Sequence, residues 1–153
     1  MTNHLLTLLA EAFEGPQGTR TYFLDDAPDA GLRKTLASIS AAAASKDVGG
    51  NSIASHAHHV LFGNEAFAAY VRGDWTSRDW NESWRVSTVN DAEWASLQES
   101  LARSFQALHD AVAAAEGDDQ LHGAFVGAAH LIYHLGAIRQ KLTSVIPRQV
   151  AAV

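Results

Sequence analysis

Apolar positions recur at helical spacing in four long stretches of the chain, and glycines at 15, 73 and 117 mark where those stretches stop. Leu5, Leu8, Leu9, Ala12 and Phe13 fall on one face behind Asn3, which predicts a first helix from about Asn3 to Glu14. A second helix is predicted from Asn51 or Ser52 to Gly73, with Ile53, Val60, Asn64, Phe67 and Val71 on one side. The clearest stripe is the third: Trp94, Leu97, Leu101, Phe105, Leu108, Val112 and Ala115 repeat at three and four, and Asn90 with Glu93 forms a capping-box pattern. The fourth helix opens after Gly117-Asp118-Asp119, whose acids suit a helix N-terminus, and continues to about Thr143, before Pro147.

Two stretches break this rhythm. Residues 15–50 predict a loop and one shorter alanine-rich helix carrying Leu32, Leu36 and Ile39. Between Asp74 and Asn90, Trp75, Trp80 and Trp84 stand among polar residues with no sustained period, which predicts a long structured loop. No hairpin signal or strand alternation competes, so the expectation is all-α: one domain over residues 1–153, built as an antiparallel four-helix bundle with an extra short helical segment in its N-terminal part.

Composition narrows the chemistry. Eleven Lys and Arg against 17 Asp and Glu give a net charge of −6 without a basic run, which argues against nucleic acid as a partner. With no cysteine there is no disulfide, no thiolate nucleophile and no thiolate metal site. The N-terminus lacks a basic region with a cleavage site, and no apolar run reaches the roughly 20 residues of a membrane span, so the expected setting is cytoplasmic and away from membranes. The GPQG and VGG turns lack the strand, spacing and lysine of a phosphate loop. No nucleophile elbow gathers Ser, His and Asp.

Eight histidines in a chain without cysteine direct attention to metal binding. His130 and His134 stand one turn apart on the fourth helix, within about 60° of Gly123 and Gly127 on the helical wheel. Both imidazoles can reach one ion there, while the glycines leave room for a neighbouring helix or a ligand. The second helix offers His56, His58 and His59. His58 points away from the apolar face and reads as solvated; His56 lies nearer the centre of that face and His59 at its edge, so the wheel favours His56 without excluding His59. His4, His109 and His122 read as surface residues. Three imidazoles would leave a coordination position for water or substrate. The absence of Glu-x-x-His and His-Glu-x-x-His argues against the di-iron bundle and the zincin site.

Two segments, NSIASHAHHVLFGNEAF (51–67) and HLIYHLGAIRQ (130–140), resemble the DinB/YfiT-like superfamily of bacterial four-helix metalloproteins. In that family a Ser or Thr precedes the ligand histidine of the second helix by seven positions, so Ser52 implies His59 as ligand and leaves His56 as a pocket residue or alternative ligand. The His-x-x-x-His-x-Gly-x-x-Arg pattern of the fourth helix carries over to His130, His134, Gly136 and Arg139. Family members commonly have a longer first helix and a Trp where Asn51 stands here, which implies a different packing of the N-terminal quarter. The resemblance implies one divalent ion, nickel or zinc, in a cytoplasmic homodimer acting on a small molecule. The implied chemistry is a thiol-dependent transfer using a low-molecular-weight thiol, or hydrolysis by metal-bound water; the alternative is a bundle that binds a metal or small ligand without catalysis.

Overall fold

In the computed structural model, residues 1–146 are described except 19, 26 and 28. The chain is all-α: α1 (Thr2–Glu14), α2 (Leu32–Ala37), α3 (Ala41–Ala44), α4 (Ile53–Val71), α5 (Asp91–Ala113) and α6 (Asp118–Val145), with one 3-10 turn at Trp80–Trp84. Among the described residues there is no strand, only an isolated bridge between Val48 and Asn51.

The starts of α4 and α5 follow the capping chemistry; α1 does not, since it begins at Thr2 with Asn3 inside the helix and no side-chain cap at Met1. Asn90 Oδ1 accepts from Glu93 N at 2.9 Å while Glu93 Oε2 accepts from Asn90 N at 2.8 Å, so the predicted capping box opens α5. Its stripe from Trp94 to Val112 is buried as the spacing requires. Ser52 caps α4 by accepting from Ser55 N at 3.0 Å, and the same hydroxyl donates to the Ser87 carbonyl at 2.6 Å. One side chain thus starts the central helix and ties down the segment that crosses it. At α6, Gln120 Oε1 accepts from the backbone of Glu116 and Gly117, which satisfies free donors at that end. The helix ends at Val145; Pro147, read as its stop, lies outside the described residues.

α4 packs most extensively on α5 and α6, and α1 packs on α6 and α5. A helix between two neighbours must be apolar or small around most of its circumference, and Ala54, Ala57, Gly63, Ala66 and Ala68 supply that on α4. The glycine strip of α6 receives α4: a Cβ at Gly127 would lie 3.1 Å from Phe67 Cβ, and one at Gly123 would lie 3.4 Å from Val71 Cγ2. Of the two uses the sequence left open for those glycines, a neighbouring helix is the one found. The buried apolar side chains form one contiguous cluster, with Phe13 stacked on Phe105 at 4.1 Å between centroids. By length and composition α6 is also apolar enough to cross a membrane, and 44% of its most apolar window is buried inside the protein.

The N-terminal region departs from expectation. The single short helix predicted there is two, because Ser40 takes an extended conformation and caps a new start, its hydroxyl accepting from Ala43 N at 3.2 Å. The loop before it is held from below by Glu11, a carboxylate only 2% exposed that accepts from Tyr22 N, Phe23 N and Leu24 N at 3.0–3.1 Å. Gly31 lies so close to the end of α1 that a Cβ would sit 2.2 Å from Gly15 N. The tryptophan segment is a loop, as expected, but with a 3-10 turn that Asp79 caps through Asn81 N at 3.0 Å.

Candidate metal centre

The packing of α4 against α6 brings His59 to His130 and His134, and one ring nitrogen from each lies within 4.8 Å of the others. The i,i+4 spacing on α6 sets the His130 and His134 ring centroids 4.5 Å apart, and His59 faces both, with its Nε2 3.0 Å from His130 Nε2. A tetrahedral ion bound at about 2.0–2.1 Å holds its ligand nitrogens about 3.4 Å apart. The spacing of these rings is therefore of the size one ion requires.

The protons on these rings follow from their partners. Ser83 Oγ lies 2.6 Å from Trp80 O and 2.6 Å from His59 Nδ1. A carbonyl can only accept, so the single hydroxyl proton goes to Trp80 O, and Ser83 accepts from His59 Nδ1–H. The neutral ring then has its lone pair on Nε2, the atom that faces His130. Outer hydrogen bonds of this kind are what orient histidine ligands in metal sites.

His130 is placed by shape. A Cβ on Gly63 would lie 2.4 Å from His130 Cε1 and 2.7 Å from its Nδ1, so the imidazole occupies space that only glycine leaves on α4. Its Nδ1 is buried without a hydrogen-bond partner among the described residues. His134 is 5% exposed and has its Nδ1 3.1 Å from His56 Nδ1.

Aromatic side chains roof the cluster. Trp84 stacks on His59 at 4.0 Å with 18° between planes and meets His56 edge-on at 5.3 Å. Trp80 and Phe67 stand at 6.0 and 5.2 Å from His130. Removal from water disfavours the imidazolium, and the crowding of four rings adds to it. Burial pulls His56 down to about 4, helped by the Lys141 ammonium and by His59. It pulls His130 down to about 4, helped by His59, and His134 to about 3, helped by His130, His59 and His56. His59 is lowered by burial and then by His58. Neutral imidazole is the form that ligates a metal, so the lowering favours the ligand form of each ring.

The other sequence candidates fall elsewhere. His58, read as solvated, is half-buried and donates from Nδ1 to Ser83 O at 2.7 Å, because the tryptophan turn folds over that side of α4. His4 and His122 are exposed as read. His109 is half-buried rather than a surface residue, with Phe105 at 6.1 Å and its Nδ1 3.8 Å from Asp110 Oδ1 but without a hydrogen-bond partner among the described residues. Arg139 pairs with Asp25 at 2.7 Å and ties α6 to the N-terminal loop, and Gly136 has open space where its Cβ would be. His56 lies beside the triad, against His134.

Sequence reasoning passed over Gly63 and Ser83. A glycine inside a long helix costs about 1 kcal/mol against alanine and has no turn to make there, so Gly63 carried a readable signal of close approach. Ser83 carried none, being one of several polar residues in an aperiodic segment. No protein-family model, curated protein or solved structure matches this chain.

Proposed function

We propose that this chain is a divalent-metal protein of the four-helix-bundle kind, DinB/YfiT-like, in which His59, His130 and His134 hold one ion. The observation that carries the reading is the triad itself: three histidines from two helices with ring nitrogens within 4.8 Å, in a chain that has no cysteine. The donor set fits an ion. His59 presents Nε2 because Ser83 holds its Nδ1 proton, and all three rings are held neutral by burial. All-imidazole ligation suits zinc, nickel, copper and iron alike, and the family resemblance favours zinc or nickel among them.

The favoured activity is that of a metal-dependent enzyme acting on a small molecule, either a transferase using a low-molecular-weight thiol or a hydrolase. Three protein ligands leave a fourth position, and an ion there would lower the pKa of a bound thiol or water. The chain's own part is to orient two ligand rings through Ser83 and His56 and to shield the cluster from bulk water with Trp80 and Trp84. Shielding also supports a second reading, an ion bound without catalysis, because His59 and His134 are only 7% and 5% exposed beneath that roof. In the enzyme reading the turn at Trp80–Trp84 must move to admit substrate. A homodimer belongs to the same proposal, supported by Phe125 and Tyr133 on α6, which are 61% and 71% exposed beside Leu5 and Leu8 of α1; the cytoplasmic setting is proposed from the sequence alone.

Elemental analysis of protein purified without a histidine tag tests the metal claim: one ion per chain is expected, and no stoichiometric ion would sink it. Metal-dependent turnover of thiols with electrophiles, or of hydrolysable esters and amides, separates the enzyme from the binding bundle.

A further inference from the structure

His56 is buried one turn before His59 on α4, with its Nδ1 3.1 Å from Nδ1 of His134. Two neutral imidazoles that meet through these atoms share one proton, so there are two arrangements. If His56 donates, Nδ1 of His134 is taken as the acceptor and its proton sits on Nε2, which leaves the ring no lone pair for a metal. If His134 donates, its Nε2 carries the lone pair and His56 is the acceptor. Only the second arrangement makes His134 a ligand while the contact is kept.

We infer that His56 is the positioning partner of His134, not the third ligand: it accepts the Nδ1 proton of His134 and so fixes the tautomer that turns Nε2 to the ion. The inference rests on the metal reading of the triad. Ser83 does the same for His59 from the other side, so two of the three rings are set by a hydrogen bond and the third, His130, by the space at Gly63. Trp84, edge-on to His56 at 5.3 Å and 88°, holds the accepting ring in its plane. Histidine ligands in metal sites regularly donate their second nitrogen to a carboxylate, carbonyl or water; here a neutral imidazole fills that place. The arrangement gives His56 a reason to be a histidine without asking it to bind the ion, and it resolves the competition between His56 and His59 in favour of His59.

The test titrates Co2+ and Zn2+ into the untagged full-length protein against a chromophoric chelator, for wild type, His56→Gln and His56→Leu. Each form is expected to bind one ion, with His56→Leu about 10–100-fold weaker and His56→Gln, whose amide oxygen can accept, recovering most of the loss. X-ray absorption on the cobalt form should count the same number of imidazoles in all three. Unchanged affinity in His56→Leu overturns the inference, as does a variant that has lost one imidazole from the ion. Long-range nitrogen NMR of the zinc-loaded wild type answers the question without a variant: the proton is expected on Nδ1 of His134 and Nε2 of His56, and the reverse assignment overturns the role. A wild type that takes up neither ion overturns the metal reading and this inference with it, whereas a binding wild type with an indifferent His56 removes the inference alone.

Discussion

Gly63 on α4 and His130 on α6 occupy one space: a methyl group on the first would stand 2.4 Å from Cε1 of the second. The atom displaced is the far end of a side chain, so the ring can swing aside where a backbone could not. We expect Gly63→Ala to separate stability from metal binding. Overpacking costs about 1–3 kcal/mol, while alanine in a helix interior returns up to about 1 kcal/mol over glycine. The midpoint of chemical denaturation should therefore fall only modestly, whereas the metal content should drop sharply because His130 has left its place. Full metal occupancy in Gly63→Ala would mean that the position of His130 is not set by Gly63.

Ser83 is fully buried and uses its only proton on Trp80 O, so it can serve His59 only as an acceptor. Ser83→Ala removes that acceptor and leaves His59 free to take either tautomer and rotate. A loss of about 10–100-fold in zinc affinity is expected, the usual effect of removing an outer partner of a histidine ligand. Competition against a chelator measures it. An alanine variant with wild-type affinity would show that Trp84 stacking alone holds the ring.

The parts of this molecule that were legible in the sequence are those governed by local rules. Asn90 and Glu93 start α5, Ser52 starts α4, and the α5 stripe is the buried one. Periodicity found both helices that carry the triad, and the i,i+4 pair on α6 was readable from spacing alone. The choice between His56 and His59 was not readable from the helical wheel, because both lie on a helix that is buried nearly all round, where a wheel no longer separates core from edge; only the register from Ser52 in the family resemblance pointed to His59. His58 was misread for a related reason: its cover comes from a 3-10 turn 25 residues away in sequence, in a segment without period. Glu11 draws no reading from the sequence, since nothing in a helix pattern announces that three backbone donors will converge on it.

That clamp gives a prediction remote from the histidines. Hydrogen bonds to a charged group contribute about 1.5–3 kcal/mol each, and Glu11 receives three from consecutive backbone amides. Glu11→Ala strips those donors of their partner and should destabilise the fold by on the order of 3 kcal/mol. Hydrogen exchange should accelerate first at Tyr22, Phe23 and Leu24. If exchange there is unchanged, the loop is held by its other contacts and the carboxylate is incidental.

Acid should loosen the metal-free protein in a window set by its histidines. Burial holds His56 and His130 near 4 and His134 near 3, with His59 lowered too, whereas the same residues in the unfolded chain titrate near 6.5. Above that value neither state is protonated at these rings and they contribute no pH dependence. As pH falls below it the unfolded chain takes up protons that the native cluster refuses, so the unfolded state binds more and stability falls with pH. The fall should continue to about pH 4, where the native rings begin to protonate and the slope flattens. Carboxylates add their own dependence below about pH 5, so the useful window is 6.5 to 5. There the melting temperature of wild type should drop, and His134→Gln, which removes one of the refused protons, should show a shallower slope. Chelated protein melted at half-unit steps of pH provides the comparison. Equal slopes in the two proteins would mean that His134 is protonated as readily in the folded cluster as in the unfolded chain, and that the cluster is wetter than its burial implies.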